Sequence, residues 1–338
     1  MIFLYALALI LGFIALIKGA DFFVDGAAGV AKNLKVPSVI IGLTIVAMGT
    51  SAPELAVSVS AAVKGSNEIA VSNVIGSNIF NLLAVLGVCA VISRVPVDKK
   101  IMKRDFPFSI FVTLVLFGFA GVKSITDGKF SAGLEKFFSG KNAKALMAEN
   151  VGTAGRLCGA VLLVLFVAYI AFLIREAKSN KLQDDTEYEA MSGGKCALLI
   201  LVGIALIVAG GQIVVTSATK IARHFGMSET LIGLTIVALG TSLPELVTSI
   251  VASKKGENGL AVGNVVGSCI FNVLLILGIS SLIHPVAVNL ASVFDMVLLL
   301  FISAVTYIFA VTKSGISFGE GIAMIIIYIA DIVFAAIR

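Results

Sequence analysis

The chain is a succession of apolar stretches, each about as long as a membrane-spanning helix. Such a helix needs about 20 apolar residues, and the sequence contains ten segments of roughly this length. They are residues 2–24, 37–63, 67–93, 105–122, 156–175, 196–219, 228–253, 258–283, 292–312 and 317–336. Only 13% of the 338 residues are charged, whereas soluble domains have about 25%. The sequence therefore predicts an all-α polytopic membrane protein with ten transmembrane helices, and it excludes a soluble, disordered or disulfide-rich secreted chain.

An internal repeat divides the chain into two halves that are offset by 191 residues. GLTIVAMGTSAPELAVSVSA at 42–61 recurs as GLTIVALGTSLPELVTSIVA at 233–252, with 14 of 20 positions identical. AVSNVIGSNIFNLLAVLG at 70–87 recurs as AVGNVVGSCIFNVLLILG at 261–278, with 12 of 18 identical. Because unrelated apolar helices do not share polar residues in register, we infer an ancient duplication. Each half has five predicted helices, an odd number, so the second half enters the membrane from the opposite side, as in the inverted repeats of many secondary transporters.

The repeat also sets the domain boundaries and the expected orientation. We expect a first five-helix repeat over residues 1–175 with a polar insertion at 123–155, a cytoplasmic connector at 176–195, and a second five-helix repeat over 196–338. Cytoplasmic loops are enriched in Lys and Arg. With the N-terminus outside, fifteen of the 25 basic residues lie in cytoplasmic loops and ten outside. This count favours an external N-terminus, and it explains the net charge of +5 without a nucleic-acid partner.

Two glutamates, Glu54 and Glu245, lie at equivalent positions inside spans two and seven, each directly after a proline. A carboxylate at the centre of a transmembrane helix costs about 2.5–3.5 kcal/mol on insertion scales, so a symmetric pair indicates function. Pro53 and Pro244 lack an N–H group and predict a break that exposes backbone carbonyls. Hydroxyl groups precede each glutamate, at Thr50, Ser51, Thr241 and Ser242. These oxygens suit Ca²⁺ or Na⁺; the alternative is a glutamate that only joins neighbouring helices by hydrogen bonds.

Spans three and eight carry a second set of polar residues at intervals of four, which places them on one helix face. They are Asn73, Ser77 and Asn81 in the first repeat and Asn264, Ser268 and Asn272 in the second. The alternative is that they bond across packed helices. Two ionised glutamates carry a charge of −2, which one Ca²⁺ neutralises. Because Ca²⁺ and several Na⁺ would repel one another in a low dielectric, the site predicts mutually exclusive binding, as an exchanger requires.

At these residues the sequence resembles the cation/calcium exchanger superfamily, in particular prokaryotic sodium/calcium exchangers. The resemblance implies four ion sites between helices two, three, seven and eight, with Glu54 and Glu245 shared by calcium and sodium. It also implies a multi-pass protein of the cell inner (plasma) membrane, in which helices one and six slide against the other eight to alternate access. The other implied ion-binding groups are the hydroxyls of Ser51, Ser242, Ser77 and Ser268, the backbone carbonyls of Ala47, Thr50, Ala238 and Thr241, and the flanking residues Asn81 and Asn272.

The sequence departs from the family pattern in three places. Asn272 stands where potassium-dependent and some archaeal members have an acidic residue, which argues against potassium co-transport. Cys269 stands where the first repeat has Asn78, and we expect it to face away from Ser268 and Asn272 without consequence. The insertion at 123–155 has no counterpart in the compact family core. The connector is too short for the calcium-sensing domains of animal exchangers, so we expect that regulation to be absent.

These observations predict an electrogenic, potassium-independent antiporter that exchanges sodium for calcium by alternating access, with the two ions and the lipid bilayer as partners and no cofactor. The resemblance suggests three Na⁺ for each Ca²⁺. A calcium/proton antiporter, in which the glutamates carry protons, is the main alternative, and an uncoupled cation channel is a second. An enzyme is not expected because the spans contain no nucleophile–base pair and no histidine-rich metal site. The sequence makes no prediction of the oligomeric state.

Overall fold

The apolar stretches of the first half form long helices in the computed structural model, which describes residues 2–64, 68–138, 144–179, 191–226, 238–312 and 314–337. They are α1 (Ile2–Leu34), α2 (Ser38–Ile41, a π-helical turn Gly42–Val46 and Ala47–Thr50), α3 (Ala52–Val63), α4 (Glu68–Phe80, a π-helical turn Asn81–Val85 and Leu86–Ile92), strand β1 (Val95–Pro96) and α5 (a π-helical turn Ile101–Asp105 and Phe106–Ala120). The insertion contains α6 (Val122–Thr126), α7 (Lys129–Phe138), α8 (Lys144–Met147) and β2 (Asn150–Ala154), and α9 (Arg156–Ser179) follows it.

The second half contains a similar order of elements. They are α10 (Gly193–His224), α11 (Ala238–Thr241), α12 (Leu243–Lys254), α13 (Asn258–Phe271, a π-helical turn Asn272–Leu277 and Gly278–Ile283), β3 (Val286–Asn289), α14 (Leu290–Thr312), β4 (Gly315–Ile316) and α15 (Phe318–Ile337). Helix α9 continues to Ser179 and α10 begins at Gly193, so both helices extend into the range predicted for the connector, 176–195. Residues 180–190 lie outside the described part of the chain.

The helix lengths confirm a multi-pass membrane protein. Among the described residues, seven helices are long and apolar enough to cross a membrane: α1, α4, α9, α10, α13, α14 and α15. Helices α2 and α3, bent by 50° where they meet, make an eighth crossing if they form one span. The regular part of α5 has only 15 residues and corresponds to the span expected at 105–122. Of the span expected at 228–253, residues 228–237 lie outside the described residues, and α11 with most of α12 forms the rest.

Helices α4 and α13 occupy the centre of the bundle. In each of them 78% of the most apolar window is buried, against 11% to 28% in α1, α9, α10 and α15. The outer helices therefore present their apolar side chains outward, as expected of a bundle that lies in a bilayer. Helix α13 approaches α2 closely, because a methyl group built on Gly263 would lie 3.0 Å from Cα of Gly42.

Helices α1 and α10 form an antiparallel pair that relies on glycine. A methyl group built on Gly19 would lie 2.9 Å from the carbonyl oxygen of Gly203, and one built on Gly203 would lie 2.8 Å from the carbonyl oxygen of Gly19. Gly12 and Gly210, one heptad away on each helix, meet in the same way. Small residues at such a spacing let two membrane helices pack backbone against backbone. The two backbones therefore lie against each other at both of these glycine pairs.

In the part of the chain that the structure describes, two short antiparallel strand pairs join the loops at the ends of the bundle. Strand β2, from the insertion, pairs with β3, and β1 pairs with β4. The insertion is also packed against α14, because the ring of Phe130 stacks on that of Phe294 with 4.3 Å between centroids. Near its middle the insertion contains the short helix Lys144–Met147, and residues 139–143 lie outside the described range. The described part of the insertion thus contains three helices and a strand.

A group of charged side chains holds the start of α5 against the end of α9. The guanidinium group of Arg104 binds both carboxylate oxygens of Asp105 at 2.8 Å and also pairs with Glu176. The hydroxyl of Tyr169 donates to Asp105 at 3.0 Å, and Lys100 binds Glu176 at 2.8 Å. Asp105 is completely buried, so its charge depends on these partners for compensation.

Replacing Asp105 with alanine should destabilise the protein by about 3 kcal/mol, because it removes the two charge-assisted hydrogen bonds from Arg104 and the one from Tyr169, and leaves Glu176 as the carboxylate partner of Arg104. A thermal unfolding curve in detergent, followed by circular dichroism, measures the change in midpoint. Asp127→Ala is the matched control, because Asp127 is exposed at the surface of the insertion and its loss should change stability by less than about 0.5 kcal/mol. Equal midpoints for the two variants would contradict this account of the α5–α9 contact.

Candidate functional site

Both proline motifs interrupt their helices, as the sequence predicts. Helix α2 ends at Thr50 and α3 begins at Ala52, and the intervening Ser51 has φ −82° and ψ 9°. In the second repeat Ser242 separates α11 from α12 with φ −94° and ψ 5°. Each proline then lies in the first turn of the following helix, where a missing N–H group leaves no hydrogen bond unmade. The glutamate that follows each proline is thereby placed beside the break.

The two glutamates bind serines from the opposite repeat. The hydroxyl of Ser51 donates to Oε1 of Glu245 at 2.9 Å, and the hydroxyl of Ser242 donates to Oε1 of Glu54 at the same distance. Each threonine also lies beside the glutamate of the opposite repeat: Thr241 beside Glu54, and Thr50 beside Glu245. Both carboxyl groups are completely buried. The site is therefore shared between the halves of the chain, and each break contributes one glutamate and one serine to it.

Helices α4 and α13 supply the other polar side chains predicted for the site. The hydroxyl of Ser77 donates to Oε1 of Glu54 at 3.4 Å and lies 3.0 Å from that of Ser242. The amide nitrogen of Asn272 donates to Ser77 at 3.3 Å. Asn81 and Ser268 are completely buried, but no hydrogen bond is formed by either side chain within the described part of the chain.

Several oxygen atoms of these side chains are buried and have no hydrogen-bond partner among the described residues. They are Oε2 of Glu54, Oε2 of Glu245, Oδ1 of Asn81, Oδ1 of Asn272 and Oγ of Ser268. A buried carboxylate or amide oxygen without a partner is costly, and a native structure normally satisfies it. Oxygen atoms of this kind are the ligands that Na⁺ and Ca²⁺ take in proteins. The chemistry of the donor set therefore fits a small hard cation.

Two further asparagines stabilise the breaks from behind. Nδ2 of Asn264 donates to the backbone carbonyl of Glu245 at 3.4 Å and to Ser249 at 2.9 Å, and its Oδ1 accepts from Thr50 at 2.9 Å. In the first repeat Asn73 donates to the carbonyl of Glu54 at 3.4 Å. These bonds join neighbouring helices, which is the structural role considered for this pair of asparagines in the sequence. They also hold the backbone of each glutamate in place.

The backbone carbonyls implied by the family resemblance are less uniform. The carbonyl of Ala47 accepts from the Ser51 N–H group at 3.0 Å and from the Thr50 hydroxyl at 3.4 Å. In the second repeat the Ser242 N–H group binds the carbonyl of Leu239 at 3.2 Å instead. The breaks therefore differ in hydrogen bonding, and a role of the carbonyls at positions 47, 50, 238 and 241 in ion binding stays a prediction.

Two features of the site were not foreseen from the sequence. The first is the pair of π-helical turns that begin at Asn81 and Asn272; such turns are frequent at functional sites. The second is Asn78, which was noted only as the counterpart of Cys269. It is buried and accepts a hydrogen bond from Asn272 at 3.0 Å. The mismatch between Asn78 and Cys269 in otherwise matching repeats was the available signal.

Comparison with known proteins places this geometry in a family. A family model described as sodium/calcium exchanger protein matches residues 4–175 and 195–337. The chain belongs to the sodium/calcium exchanger family. It is accordingly a membrane transporter rather than an enzyme, and the ions that such exchangers move across the membrane are sodium and calcium.

Individual relatives are similar in sequence to this exchanger over most of their length. It is 34% identical over 341 residues to the sodium/calcium exchanger MaX1 of Methanosarcina acetivorans, with 97% of each chain covered. It is 39% identical over 290 residues to a putative antiporter, CaxA, of Alkalimonas amylolytica, covering 84% of this chain and 82% of that protein. Among solved structures, the sodium-calcium exchanger NCX_Mj soaked with 10 mM Na⁺ and zero Ca²⁺ matches with a TM-score of 0.78, 30% identity and 100% of both chains covered.

Proposed function

We propose that this exchanger is an electrogenic, potassium-independent antiporter that moves sodium and calcium in opposite directions through one site. The observation that carries the proposal is the pair of completely buried glutamates, Glu54 and Glu245, each bound at 2.9 Å by a serine of the other repeat. One Ca²⁺ balances the charge of both carboxylates. Several Na⁺ ions are needed to balance the same charge. Because their charges would repel a Ca²⁺ ion in the same site, binding of calcium and binding of sodium exclude each other.

The ligands of the transported ions are the twelve groups named from the sequence. Two observations support this assignment. Hydrogen bonds join Ser51 to Glu245, and Ser242 and Ser77 to Glu54, and five oxygen atoms of the proposed side chains are buried without partners among the described residues. Asn272 supports the absence of potassium coupling, because a neutral amide adds no charge to attract a further cation. With −2 in the site, exchange of three Na⁺ for one Ca²⁺ moves one net charge, worth about 2.3 kcal/mol per 100 mV of membrane potential.

We further propose ten transmembrane helices in two inverted repeats, with the N-terminus outside and the site in the inner membrane opened to each side alternately. The strand pairing supports this topology. Strands β2 and β3 follow the fourth and eighth expected spans, which both end outside in this arrangement, and β1 and β4 lie in loops that are both cytoplasmic. Pairing between loops on opposite faces would have spoken against it.

Uptake of radiocalcium into sodium-loaded liposomes tests the proposal. With an ionophore clamping the pH, purified protein in sodium-free medium should take up calcium, and uptake should stop when external sodium equals internal sodium. The sodium-free medium contains choline as the cation, and replacing this choline by potassium should leave the rate of calcium uptake unchanged. An inside-positive potential should accelerate uptake, because three Na⁺ leave for each Ca²⁺ that enters.

Liposomes without protein provide the baseline for this assay. Uptake that ignores sodium but follows a proton gradient would contradict sodium coupling and identify a calcium/proton antiporter. Downhill calcium flux that neither gradient can drive uphill would instead identify a channel.

A further inference from the structure

The two repeats differ at one buried position between the serine and the asparagine that each contributes to the site. Asn78 lies in α4, one residue after Ser77, and its counterpart in α13 is Cys269. The two side chains reach across to each other's backbone. Nδ2 of Asn78 donates to the carbonyl of Cys269 at 3.1 Å, and the thiol of Cys269 lies 3.9 Å from the carbonyl of Asn78. Both positions are about 1% exposed, so water does not substitute for these contacts.

Asn78 determines how the carboxamide of Asn272 is oriented. Nδ2 of Asn272 donates to Oδ1 of Asn78 at 3.0 Å and to Oγ of Ser77 at 3.3 Å. These two bonds use both hydrogens of the amide group. A rotation by 180° would place an oxygen against Oδ1 of Asn78, which has no proton to offer. The orientation with Oδ1 of Asn272 free is therefore the one that the hydrogen-bond network favours.

Asn81, the counterpart of Asn272, lacks this support. Neither its Oδ1 nor its Nδ2 has a hydrogen-bond partner within the described residues, although the side chain is completely buried. The residue that would hold it by symmetry is Cys269, and a thiol is a weak acceptor for an amide N–H group. Asn81 and Asn272 therefore occupy equivalent positions in the two repeats, but only the side chain of Asn272 is held by hydrogen bonds.

We propose that Asn78 is a positioning residue that holds the Oδ1 atom of Asn272 ready for a bound cation, while Cys269 leaves the carboxamide of Asn81 free to rotate. The inference rests on the proposed function, since it assigns the cation to the site of Glu54 and Glu245. It makes the site asymmetric: one amide oxygen is oriented before the ion arrives, and the other must be oriented by the ion at a cost in affinity.

Equilibrium binding of radiocalcium to the purified protein in detergent, and its displacement by sodium, tests the proposal. Asn78→Cys should weaken calcium binding about tenfold, because the carboxamide of Asn272 loses its fixed orientation. In an Asn272→Ala background the same change should have little further effect, since two residues that act through one contact are not additive. Cys269→Asn should strengthen calcium binding several-fold, because it supplies Asn81 with the acceptor that it lacks.

Two controls separate positioning from packing. Asn150→Cys makes the same exchange at an exposed position of β2 and should leave binding unchanged. The unfolding midpoint of Asn78→Cys in ion-free buffer should fall, because the carbonyl of Cys269 loses its hydrogen bond, but it should stay above the temperature of the binding assay, so that folded protein is measured. Equal losses with Asn272 present and absent, or no loss in Asn78→Cys, would overturn the inference while leaving the proposed function intact. Failure of the unmodified protein to bind calcium would overturn both.

Discussion

Replacing Glu54 or Glu245 by glutamine should reduce sodium-driven calcium uptake at least 100-fold, a loss of about 2.7 kcal/mol. Glutamine keeps the volume of the side chain and removes one of the two negative charges that face the cation. A divalent ion would then enter a buried site with a single compensating charge, which is strongly unfavourable in a low dielectric. The liposome assay described above measures the uptake, at equal protein content.

The folded state should survive this substitution, because a neutral group replaces a buried charge. Elution on size exclusion and the thermal unfolding midpoint check that expectation. Glu135→Gln is the matched control, since Glu135 is an exposed glutamate of α7 in the insertion and its uptake should equal that of the unmodified protein. Exchange within twofold of normal in either Glu54→Gln or Glu245→Gln would refute the assignment of the site.

Replacing Gly203 by valine should reduce transport more than tenfold, because it disturbs the contact between α1 and α10. The added Cβ would lie 2.7 Å from the backbone nitrogen of Phe23 and 2.8 Å from the carbonyl oxygen of Gly19. These are backbone atoms that cannot rotate away, so the two helices must separate along their contact. Because none of the twelve proposed ion-binding groups belongs to either helix, we expect calcium binding in detergent to persist while uptake into liposomes falls more than tenfold.

Gly194→Val is the matched control for this variant. Gly194 lies exposed on the same helix, and a Cβ built there meets no atom of the described residues within 4 Å, so uptake should stay within about twofold of normal. Normal uptake by Gly203→Val would show that the close approach of α1 to α10 has no part in transport. Loss of calcium binding together with uptake would show that the pair supports the site itself rather than movement around it.

The sequence was sufficient to propose the residues of the site, because these polar residues stand out in apolar helices. A carboxylate after a proline in a membrane span is rarely explained by a structural role alone. Its recurrence 191 residues later makes a purely structural role less plausible still. The prediction of a break at each proline follows from the missing N–H group, and the structure confirms breaks at Ser51 and Ser242.

The sequence could not predict which residues of the site touch. That Ser51 binds Glu245 rather than Glu54 depends on which helices become neighbours, and residue spacing along one helix carries no such information. The π-helical turns at Asn81 and Asn272 were missed for a related reason: they arise from one extra residue in a turn, which leaves the apolar pattern almost unchanged. The strand β2 in the insertion was also not predicted, because its pairing partner, strand β3, lies more than 130 residues away in the chain.

The crossed contacts between serines and glutamates have a consequence for how such a protein arose. A single repeat carries Ser51 and Glu54, or Ser242 and Glu245, but in each case the serine faces a glutamate that the same repeat does not contain. An unduplicated ancestor could therefore complete this site only by associating with a second copy of itself. Fusing two copies into one chain freed each to diverge, and Asn78 and Cys269 mark one position where they have done so.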